Sequence, residues 1–464
     1  MGEQISRQIF RAYDIRGLYN KDISPEVFYK IGCAAGTYVM NTMKGKQVVV
    51  GSDIRQSSQP LEHALMAGIT ATGVHVKHTG TTSFGQTLFA GGVQHAGLIA
   101  FVTASHLPPE WNGVKFYYGD GVGFPEAELI RIRDLVLGDR FDLADWRTIG
   151  SIQPIDAHDA YKAFFLSKFT FKRKHAVALD CGGGSMTLSA PEIFTGLKFH
   201  TNPVFCEPDP TFSKRPSDPK PKNLSVLVET VRQHHCDFGV AFDGDGDRSV
   251  IVDNTGAILS ADQTGILLGK HGLAKHKGTV IVNVECSKAV KEQLEPLGFR
   301  IKQIPVGHTF LTLEAKQEHA VLGIESSGHL ILPEYFLFDD ALVVPLQIAQ
   351  ILDTVQKPLS DLVAEIPMYP TKKEEIDCPD EIKFDVVQAL KTRLSKEYEH
   401  VNAMDGVRVD LPEGWVLIRP SNTSPIIRLT AEADNEAELK RLLTQFMKPT
   451  MEAVQHAKEK TTVR

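Results

Sequence analysis

Three segments of the sequence share one local pattern, in which a short apolar run ends in a polar or glycine-rich loop. The runs are predicted to be buried strands, because short apolar runs bounded by turn-forming residues are typical of strands covered on both faces. The three segments are 46–51 followed by 52–55, 176–180 followed by 181–184, and 279–283 followed by 284–287. Their spacing of roughly 100 to 130 residues is too long for a solenoid repeat and indicates one type of α/β domain used three times.

The last fifth of the sequence follows a different pattern. Its predicted elements are a charged helix, two strand-like runs and a closing helix, near 386–398, 415–419, 426–431 and 436–447. This order indicates a smaller α+β unit. Polar stretches mark candidate domain boundaries near 145–156, 253–262 and 367–379. We therefore expect three α/β domains and one α+β domain, at 1–150, 151–255, 256–367 and 368–464.

Composition excludes several classes of protein. Hydrophobic residues make up 42% of the chain and charged residues 23%, as in a globular protein and unlike a disordered one. The formal net charge of −7 argues against broad nucleic-acid binding. Six cysteines without a CxxC pair indicate neither a disulfide framework nor a structural zinc site. Since no long apolar run or secretory segment is present, we expect a cytoplasmic protein with no membrane partner.

Ser105 follows the apolar run 97–102 and lies within Thr-Ala-Ser-His-Leu-Pro at 103–108. Two prolines and a glycine keep the following loop irregular, and nucleophiles are usually displayed on such loops at strand ends. The same residues also suit a polar turn that Ser105 caps. The hexapeptide alone leaves both interpretations open.

Asp243, Asp245 and Asp247 alternate with glycines in Asp-Gly-Asp-Gly-Asp-Arg. The glycines let the backbone curl, so that the three carboxylates converge on one point. Converging carboxylates repel each other unless a cation joins them, which favours a hard divalent ion such as Mg²⁺. An EF-hand is excluded, because Arg248 and Asn254 stand at the sixth and twelfth positions, where that loop needs glycine and glutamate.

Two later loops carry groups that suit a sugar phosphate. Glu325, Ser327 and His329 alternate, so in an extended loop the three side chains would point the same way. A carboxylate, a hydroxyl and an imidazole together suit vicinal sugar hydroxyls. The loop 419–425, Arg-Pro-Ser-Asn-Thr-Ser-Pro, offers a guanidinium, hydroxyls and turn amides to a phosphate, although its composition also suits a plain hairpin loop.

Five motifs together resemble the α-D-phosphohexomutase family, most closely its phosphomannomutase/phosphoglucomutase branch. They are FRAYDIRG, TASHLP, DGDGDR, ESSGH and RPSNTSP, at 10–17, 103–108, 243–248, 325–329 and 419–425. The resemblance implies an α/β protein, with three related α/β domains with mixed sheets plus a C-terminal α+β domain around a central cleft. It also implies a cytoplasmic isomerase of carbohydrate metabolism that interconverts hexose 1-phosphate and hexose 6-phosphate, of mannose or glucose, through a phosphoserine and a bisphosphorylated sugar.

The resemblance further implies a role for each matching residue. The implied metal ligands for Mg²⁺ are Ser105, as its phosphoserine, with Asp243, Asp245 and Asp247. The implied catalytic residues are Ser105, His106, Lys115, Arg248 and His308, with Lys115 and His308 as candidates for proton transfer. The implied substrate-binding residues are Tyr13, Arg16, Glu325, Ser327, His329, Arg419, Ser421, Asn422 and Thr423. Glucose 1,6-bisphosphate or an equivalent would be the activator, sugar phosphates the partners, and the protein a monomer or small homo-oligomer.

Three positions depart from the family pattern. Leu107 and Ser424 stand where asparagine and glutamate are usual, and Glu285 stands where related enzymes can carry a lysine. These departures leave the preferred hexose open. Asn422 favours the mannose/glucose branch over the phosphoglucosamine branch, which typically has glycine there. Phosphoglucosamine mutase and a metal-dependent sugar phosphatase remain as alternatives. A sugar-phosphate sensor is disfavoured, because binding alone needs neither Ser105 nor the aspartates.

Overall fold

The structure, a computed structural model, describes residues 5–43, 46–421 and 425–462, with side chains as far as residue 459. Within these residues the chain forms four sheets, each built from a consecutive stretch of sequence. Each sheet with its helices is called a unit, and the units are numbered in chain order. None of the helices in this part of the chain combines the length and apolarity that crossing a lipid bilayer requires.

The first sheet is mixed and packs against helices on both sides. Its elements are β1 (Ile15–Leu18), α1 (Pro25–Met43), β2 (Val48–Ser52), α2 (Ser58–Ala71), β3 (Val76–Thr81), α3 (Phe84–Val93), β4 (Leu98–Val102), β5 (Trp111–Tyr118), α4 (Glu126–Leu137) and β6 (Ile152–Pro154). The strand order is β1-β5-β4-β2-β3-β6. Strands β2 and β4 are parallel neighbours and buried along their whole length, as their apolar runs predict. The loops that follow them therefore leave the same edge of the sheet.

The second sheet has four strands. Its elements are α5 (His158–Lys168), β7 (Ala176–Asp180), α6 (Ala190–Gly196), β8 (His200–Val204), α7 (Ser225–Gln233), β9 (Phe238–Phe242) and β10 (Ser249–Asp253). The order is β10-β9-β7-β8, with β9 and β10 antiparallel. The aspartate-rich segment 243–248 is the connection between β9 and β10.

The third sheet repeats this arrangement. Its elements are α8 (Ala261–Leu267), β11 (Thr279–Asn283), α9 (Lys288–Leu294), β12 (Arg300–Ile304), α10 (His308–Gln317), β13 (Leu322–Ile324), β14 (Leu330–Ile331), α11 (Val343–Val355) and α12 (Leu359–Ala364). The order is β12-β11-β13-β14. Segment 325–329 connects the antiparallel strands β13 and β14.

One strand order is therefore common to the three sheets. It is β5-β4-β2-β3 in the first, β10-β9-β7-β8 in the second and β14-β13-β11-β12 in the third. This confirms the prediction of one α/β unit used three times. The order also gives the Ser105, aspartate and Glu325 loops equivalent positions, because each connects the same antiparallel pair of strands in its own sheet.

The fourth sheet is antiparallel and packs two helices on one face. Its elements are β15 (Thr371–Asp377), α13 (Asp380–Glu397), β16 (Val401–Asn402), β17 (Val407–Leu411), β18 (Gly414–Pro420), β19 (Ile426–Ala433) and α14 (Glu436–Thr462). The order is β15-β19-β18-β17-β16. The phosphate-loop motif connects β18 to β19.

Two local predictions are wrong. Helix α14 does not end near residue 447 but continues through Pro449. The helix tolerates the loss of the backbone hydrogen bond that proline removes, because its second half buries Val454 in the core of the fourth unit. Segment 325–329 is not extended either. The Gly328 amide donates to the Glu325 carbonyl oxygen at 2.9 Å, which closes a tight turn.

Candidate active site

The three equivalent loops meet at one place in the molecule. The Ser105 hydroxyl donates to Asp243 Oδ2 at 3.1 Å, which joins the first loop to the second. Arg248 Nη1 donates to the carbonyl oxygen of Ser327 at 3.3 Å, which joins the second loop to the third. The structure therefore brings together the serine, the aspartates and the Glu325 loop, three motifs that are far apart in the sequence.

Ser105 is buried and has a backbone φ of 52°, in the left-handed region that side chains other than glycine rarely adopt. Its amide donates to Thr103 Oγ1 at 2.8 Å. The Thr103 hydroxyl in turn donates to Asp53 Oδ2 at 2.7 Å and lies 3.1 Å from Asp245 Oδ2. The unusual backbone of Ser105 is thus held by side chains from the β2 loop and the aspartate loop.

Arg55 provides most of the support beneath this loop. Its side chain is fully buried, and its Nε donates to Asp53 Oδ2 at 2.9 Å. Its two terminal nitrogens donate to the carbonyl oxygens of Ser105, Leu107, Pro108 and Trp111. One guanidinium therefore binds both ends of the loop 103–110, which is called the nucleophile loop after the role predicted for Ser105. The Leu107 side chain, one of the departures from the family pattern, takes no part in this contact.

The aspartate loop curls as the sequence predicts, although its two glycines act differently. Gly246 has a φ of 83° and makes the turn. Gly244 keeps an ordinary φ, but a Cβ atom there would lie 2.5 Å from the Ser105 carbonyl oxygen. The first glycine is thus needed for close approach to the nucleophile loop, and the second for the bend.

The three aspartates are buried, and their carboxylates offer oxygens that all lie within 4.8 Å of one another. Burial and the neighbouring carboxylates raise the pKa of Asp243, and the same causes raise the pKa of Asp245. Asp245 Oδ1 has no hydrogen-bond partner among the described residues. Hard oxygen donors, mutual repulsion and an orphaned buried oxygen fit a small divalent cation such as Mg²⁺.

Two buried cations partly offset the carboxylates. Lys115, on β5, lies 3.0 Å from Asp245 Oδ2 and 2.5 Å from Asp247 Oδ2. Burial alone would lower the pKa of Lys115, but these two carboxylates outweigh burial and raise it. Arg248 Nη2 lies 3.0 Å from Asp243 Oδ2 and 3.5 Å from Ser105 Oγ.

Three histidines lie close to this cluster in different charge states. Burial lowers the pKa of His106, whose Nδ1 lies 3.4 Å from Ser105 Oγ. Burial also lowers the pKa of His308 to about 4, with help from His329. Burial would lower the pKa of His329 too, but Asp247 and Asp339 raise it to about 8. At neutral pH the first two are therefore neutral, and the third donates its Nδ1 proton to Asp339.

The third loop presents a paired carboxylate and hydroxyl. The Ser327 hydroxyl donates to Glu325 Oε1 at 2.7 Å, and the Gly307 amide donates to Glu325 Oε2 at 3.0 Å. The His308 and His329 rings stack with centroids 5.3 Å apart. The turn therefore places Glu325 beside Ser327, while the His329 ring packs on His308.

Tyr13 and Arg16 come from the first motif of the chain. The Tyr13 hydroxyl donates to the Val306 carbonyl oxygen at 2.7 Å, and its ring meets the His308 ring edge-on with centroids 6.0 Å apart. Arg16 Nε donates to Asp14 Oδ2 at 2.6 Å. The N-terminal motif thus lies against the loop that leads into α10.

Arg419 lies on the fourth unit and faces the third. It pairs with Asp405 Oδ2 at 3.1 Å and with Glu285 Oε1 at 3.4 Å, and its Nε has no hydrogen-bond partner among the described residues. Lys373 lies 2.8 Å from Glu285 Oε2, so two cations of the fourth unit meet the third unit at Glu285. The Ser421 amide donates to the Ile426 carbonyl oxygen at 3.0 Å. Asn422, Thr423 and Ser424 lie outside the described residues.

Sequence reasoning missed the supporting residues of the nucleophile loop, Asp53, Arg55 and Thr103. A signal for them was present, because Asp53 and Arg55 directly follow the buried run of β2, as Ser105 follows that of β4. Parallel neighbouring strands end at the same edge of a sheet, so the two loops had to meet. Asp339 and Asp405 gave no such signal, because neither lies in a motif or directly after a predicted strand. Asp339 pairs with His329 of its own unit. Asp405 pairs with Arg419 of its own unit and accepts from the Val306 amide of the third.

Comparison with family models identifies four matches along the chain. Domains I, II and III of phosphoglucomutase/phosphomannomutase, each described as alpha/beta/alpha, match residues 7–142, 158–256 and 260–369. The C-terminal domain of the same family matches residues 376–448. The matches occur in the family's domain order and together cover most of the sequence.

Individual relatives agree over nearly their whole length. A protein of Methanopyrus kandleri named "Probable phosphoglucosamine mutase" is 32% identical over 456 residues, 97% of this chain and 99% of its own. A phosphomannomutase/phosphoglucomutase of Pseudomonas putida is 33% identical over 448 residues, 94% of each chain. The crystal structure of a phosphoglucomutase/phosphomannomutase family protein from Burkholderia thailandensis superimposes with a TM-score of 0.89, at 28% identity over 97% of this chain and 98% of that one.

Proposed function

This chain belongs to the phosphoglucomutase/phosphomannomutase family and is a phosphohexomutase, and we propose that Ser105 is the residue that carries its transferable phosphoryl group. The observation that supports this most directly is the position of Ser105 Oγ, 3.1 Å from Asp243 Oδ2 and 3.5 Å from Arg248 Nη2. A serine that served only as a turn cap would need neither a cluster of acidic groups nor a buried guanidinium beside it.

We propose that Asp243, Asp245 and Asp247 hold Mg²⁺ together with an oxygen of phosphorylated Ser105. Their shared position and the orphaned Asp245 oxygen support this assignment. When bound, Mg²⁺ would offset negative charge on the transferring phosphoryl group. Arg248 is placed to do the same from the other side, because its guanidinium reaches the Ser105 hydroxyl while it remains paired to Asp243.

In the forward step, a hydroxyl oxygen of the hexose monophosphate bonds to phosphorus as the bond from phosphorus to Ser105 Oγ breaks. The product is a bisphosphorylated hexose. The attacking hydroxyl gives its proton to a base, and Ser105 Oγ, the leaving group, takes up a proton and returns to the hydroxyl form. We assign the proton of the attacking hydroxyl to His308, which is neutral at neutral pH and whose Nε2 has no hydrogen-bond partner among the described residues. Lys115, the other candidate, is held as an ammonium ion between two aspartates and serves better as a fixed positive charge.

The second step reverses the first with the hexose turned end for end, so that its other phosphate returns to Ser105. We propose that Glu325 and Ser327 bind sugar hydroxyls in both orientations, assisted by His329, Tyr13 and Arg16. Paired donor and acceptor groups suit this task, because vicinal hydroxyls both donate and accept. His106 would remain a neutral neighbour of the nucleophile.

The phosphate that is not reacting would bind on the fourth unit. We propose Arg419 and Ser421 for this contact, with Asn422 and Thr423 as predicted from the sequence. The unpartnered Nε of Arg419 is a donor available to a phosphate oxygen. Activation by glucose 1,6-bisphosphate follows from the same scheme, since that compound phosphorylates Ser105 when it reacts in reverse.

Glucose and mannose phosphates are the proposed substrates, and glucosamine phosphate is the second candidate. Relatives named "Probable phosphoglucosamine mutase", about a third identical to this chain, support the second candidate. Glu285 does not decide between the two, because Arg419 and Lys373 already pair with its carboxylate.

The test compares the native protein with Ser105→Ala, each with Mg²⁺, a trace of glucose 1,6-bisphosphate and one hexose 1-phosphate. The 1-phosphates of glucose, mannose and glucosamine are supplied separately, and the 6-phosphates and free phosphate are measured. We expect isomerisation without phosphate release, and its loss in Ser105→Ala but not in the control Ser167→Ala. Substantial mutase activity in Ser105→Ala would overturn the phosphoserine assignment, and free phosphate as the main product would indicate the phosphatase.

A further inference from the structure

Cys181 and Cys206 lie side by side beneath the aspartate loop, in a part of the second unit that the proposed reaction does not use. Their sulfur atoms are 2.7 Å apart, closer than two unbonded sulfurs normally pack. A disulfide bond is about 2.05 Å long, so a movement of well under 1 Å separates the two thiols from a covalent bond.

The backbone fixes this approach. Cys181 directly follows β7 and Cys206 lies two residues after β8, its parallel neighbour in the sheet. The Cys181 amide donates to the Val204 carbonyl oxygen at 3.1 Å. Phe205 has a φ of 48°, so the chain bends sharply just before Cys206. The two thiols therefore meet because the ends of both strands are held together, and no change of fold is needed to join them.

The two cysteines differ in a way that suits thiol chemistry. Cys181 is fully buried, whereas Cys206 is only partly buried and can meet a small oxidant. The hydrogen bond from the Cys181 thiol lowers the pKa of Cys206, while burial raises the pKa of Cys181. The more exposed sulfur is the one that a peroxide can reach, and the buried neighbouring thiol is placed to resolve the product.

We propose that Cys181 and Cys206 are a redox-modification site that a hydroperoxide converts reversibly into a disulfide. The Cys206 thiolate attacks one oxygen of hydrogen peroxide, which breaks the O–O bond and gives a sulfenic acid and hydroxide. The Cys181 sulfur then attacks the Cys206 sulfur, and the sulfenic oxygen leaves as water after taking the Cys181 proton. Two thiols are thus oxidised by two electrons, and a dithiol reductant reverses the change.

The disulfide also reaches the active site through the backbone. Cys181 begins the segment 181–185, whose Ser185 amide donates to the Gly244 carbonyl oxygen at 2.9 Å. The Gly183 amide donates to the Phe205 carbonyl oxygen at 2.8 Å, beside Cys206. Joining the sulfurs displaces this segment at Cys181 and, through the Phe205 carbonyl beside Cys206, at Gly183. Since the segment supports the aspartate loop, we expect oxidation to lower kcat several-fold.

The experiment treats the reduced full-length protein with hydrogen peroxide, removes the excess, alkylates the remaining thiols and maps the peptides by mass spectrometry. We expect a cross-link between the peptides of Cys181 and Cys206, two fewer free thiols per chain, and reversal of both changes by dithiothreitol. Cys206→Ser should abolish the cross-link. Cys236→Ser is the matched control, because the sulfur of Cys236 is buried in the same unit and accepts from Asn202 at 3.3 Å.

Activity is then followed in the same samples, with and without dithiothreitol. A cross-link together with a reversible fall in kcat that Cys206→Ser removes supports the whole proposal. A cross-link without a change in kcat would overturn the link to the active site. Six free thiols after treatment, or a sulfinic acid on Cys206 without a cross-link, would overturn the site itself. Because peptide mapping needs no turnover, this test is independent of the reaction proposed for Ser105.

Discussion

Replacing Arg55 by lysine tests whether the buried guanidinium positions the nucleophile. Arg55 holds Asp53 through Nε, while its terminal nitrogens donate to four carbonyl oxygens of the nucleophile loop at 2.6 to 3.2 Å. A lysine keeps the positive charge beside Asp53 but has one nitrogen with three protons. If the lysine donates one of these protons to Asp53, at least two of the four carbonyl oxygens lose their donor.

The expected magnitude follows from these lost contacts. A buried carbonyl oxygen without a donor costs roughly 1–3 kcal/mol, so two of them amount to about 2–6 kcal/mol. The left-handed backbone of Ser105 costs about 1–2 kcal/mol more and is held by the same contacts. Since relaxing the loop relieves both costs, we expect the loop to shift while the first unit stays folded. A shift near 1 Å at the reacting atom costs about 100-fold in rate.

The assay measures kcat and KM of Arg55→Lys with glucose 1-phosphate at saturating glucose 1,6-bisphosphate, together with urea unfolding. We expect kcat to fall about 100-fold and KM to stay within about two-fold, because Arg55 touches no residue assigned to the sugar. Arg131→Lys, on the exposed face of α4, is the control and should match the native protein. A variant that loses stability but keeps the native kcat would refute the positioning role of Arg55.

Three further predictions concern pH, packing and metal. Burial raises the pKa of Asp340 to about 7 from its ordinary 3.8, so the folded protein binds this proton more tightly than the unfolded chain and should lose stability as pH rises from about 4 to 7. Asp340→Asn should flatten that dependence. If the urea midpoint of this variant changed with pH between 4 and 7 as steeply as that of the native protein, the prediction would be contradicted. Trp415→Ala should cost about 3–5 kcal/mol in unfolding followed by circular dichroism, because the buried ring packs against Val284 of the third unit, and a loss below 1 kcal/mol would count against this. Mg²⁺ at 100 times its Kd should raise the free energy of unfolding by about 2.7 kcal/mol. EDTA should reverse this in the native protein but have little effect in Asp245→Asn, and equal responses would place the ion elsewhere.

The fold was predictable where the sequence pattern is local. The strands at 176–180 and 279–283 have the predicted bounds, because an apolar run that ends in aspartate or asparagine and a turn has few alternatives. The recurring strand-loop pattern also predicted one unit used three times. Helix α14 was predicted too short, because Pro449 is a strong local stop signal and only tertiary packing of residues beyond it overrides that signal.

The candidate site was predictable motif by motif but not as an assembly. The aspartate loop predicts its own metal, since three carboxylates within five residues have few other uses. The contacts that complete the site have no local signal. Tyr13 reaches Val306 across 293 positions, and Lys115 reaches Asp245 across 130. The alternation of Glu325, Ser327 and His329 predicted an extended loop, but the tight turn that joins Ser327 to Glu325 depends on the register of β13 with β14.

The negative charge of the aspartate loop explains why the candidate site is built from residues of more than one unit. The aspartate loop contains one cation of its own, Arg248, against three buried carboxylates, so by itself it would be strongly unstable in the folded interior. Lys115 comes from the first sheet and pairs with the second and third aspartates of the motif, Asp245 and Asp247. The carboxylate nearest the nucleophile, Asp243, is left to Arg248 and the Ser105 hydroxyl. Strands β4 and β5 of the first unit thus carry both Ser105, in the loop between them, and Lys115, on β5. The contact between Lys115 and the aspartates therefore offsets their charge and also sets the distance between Ser105 and the carboxylates.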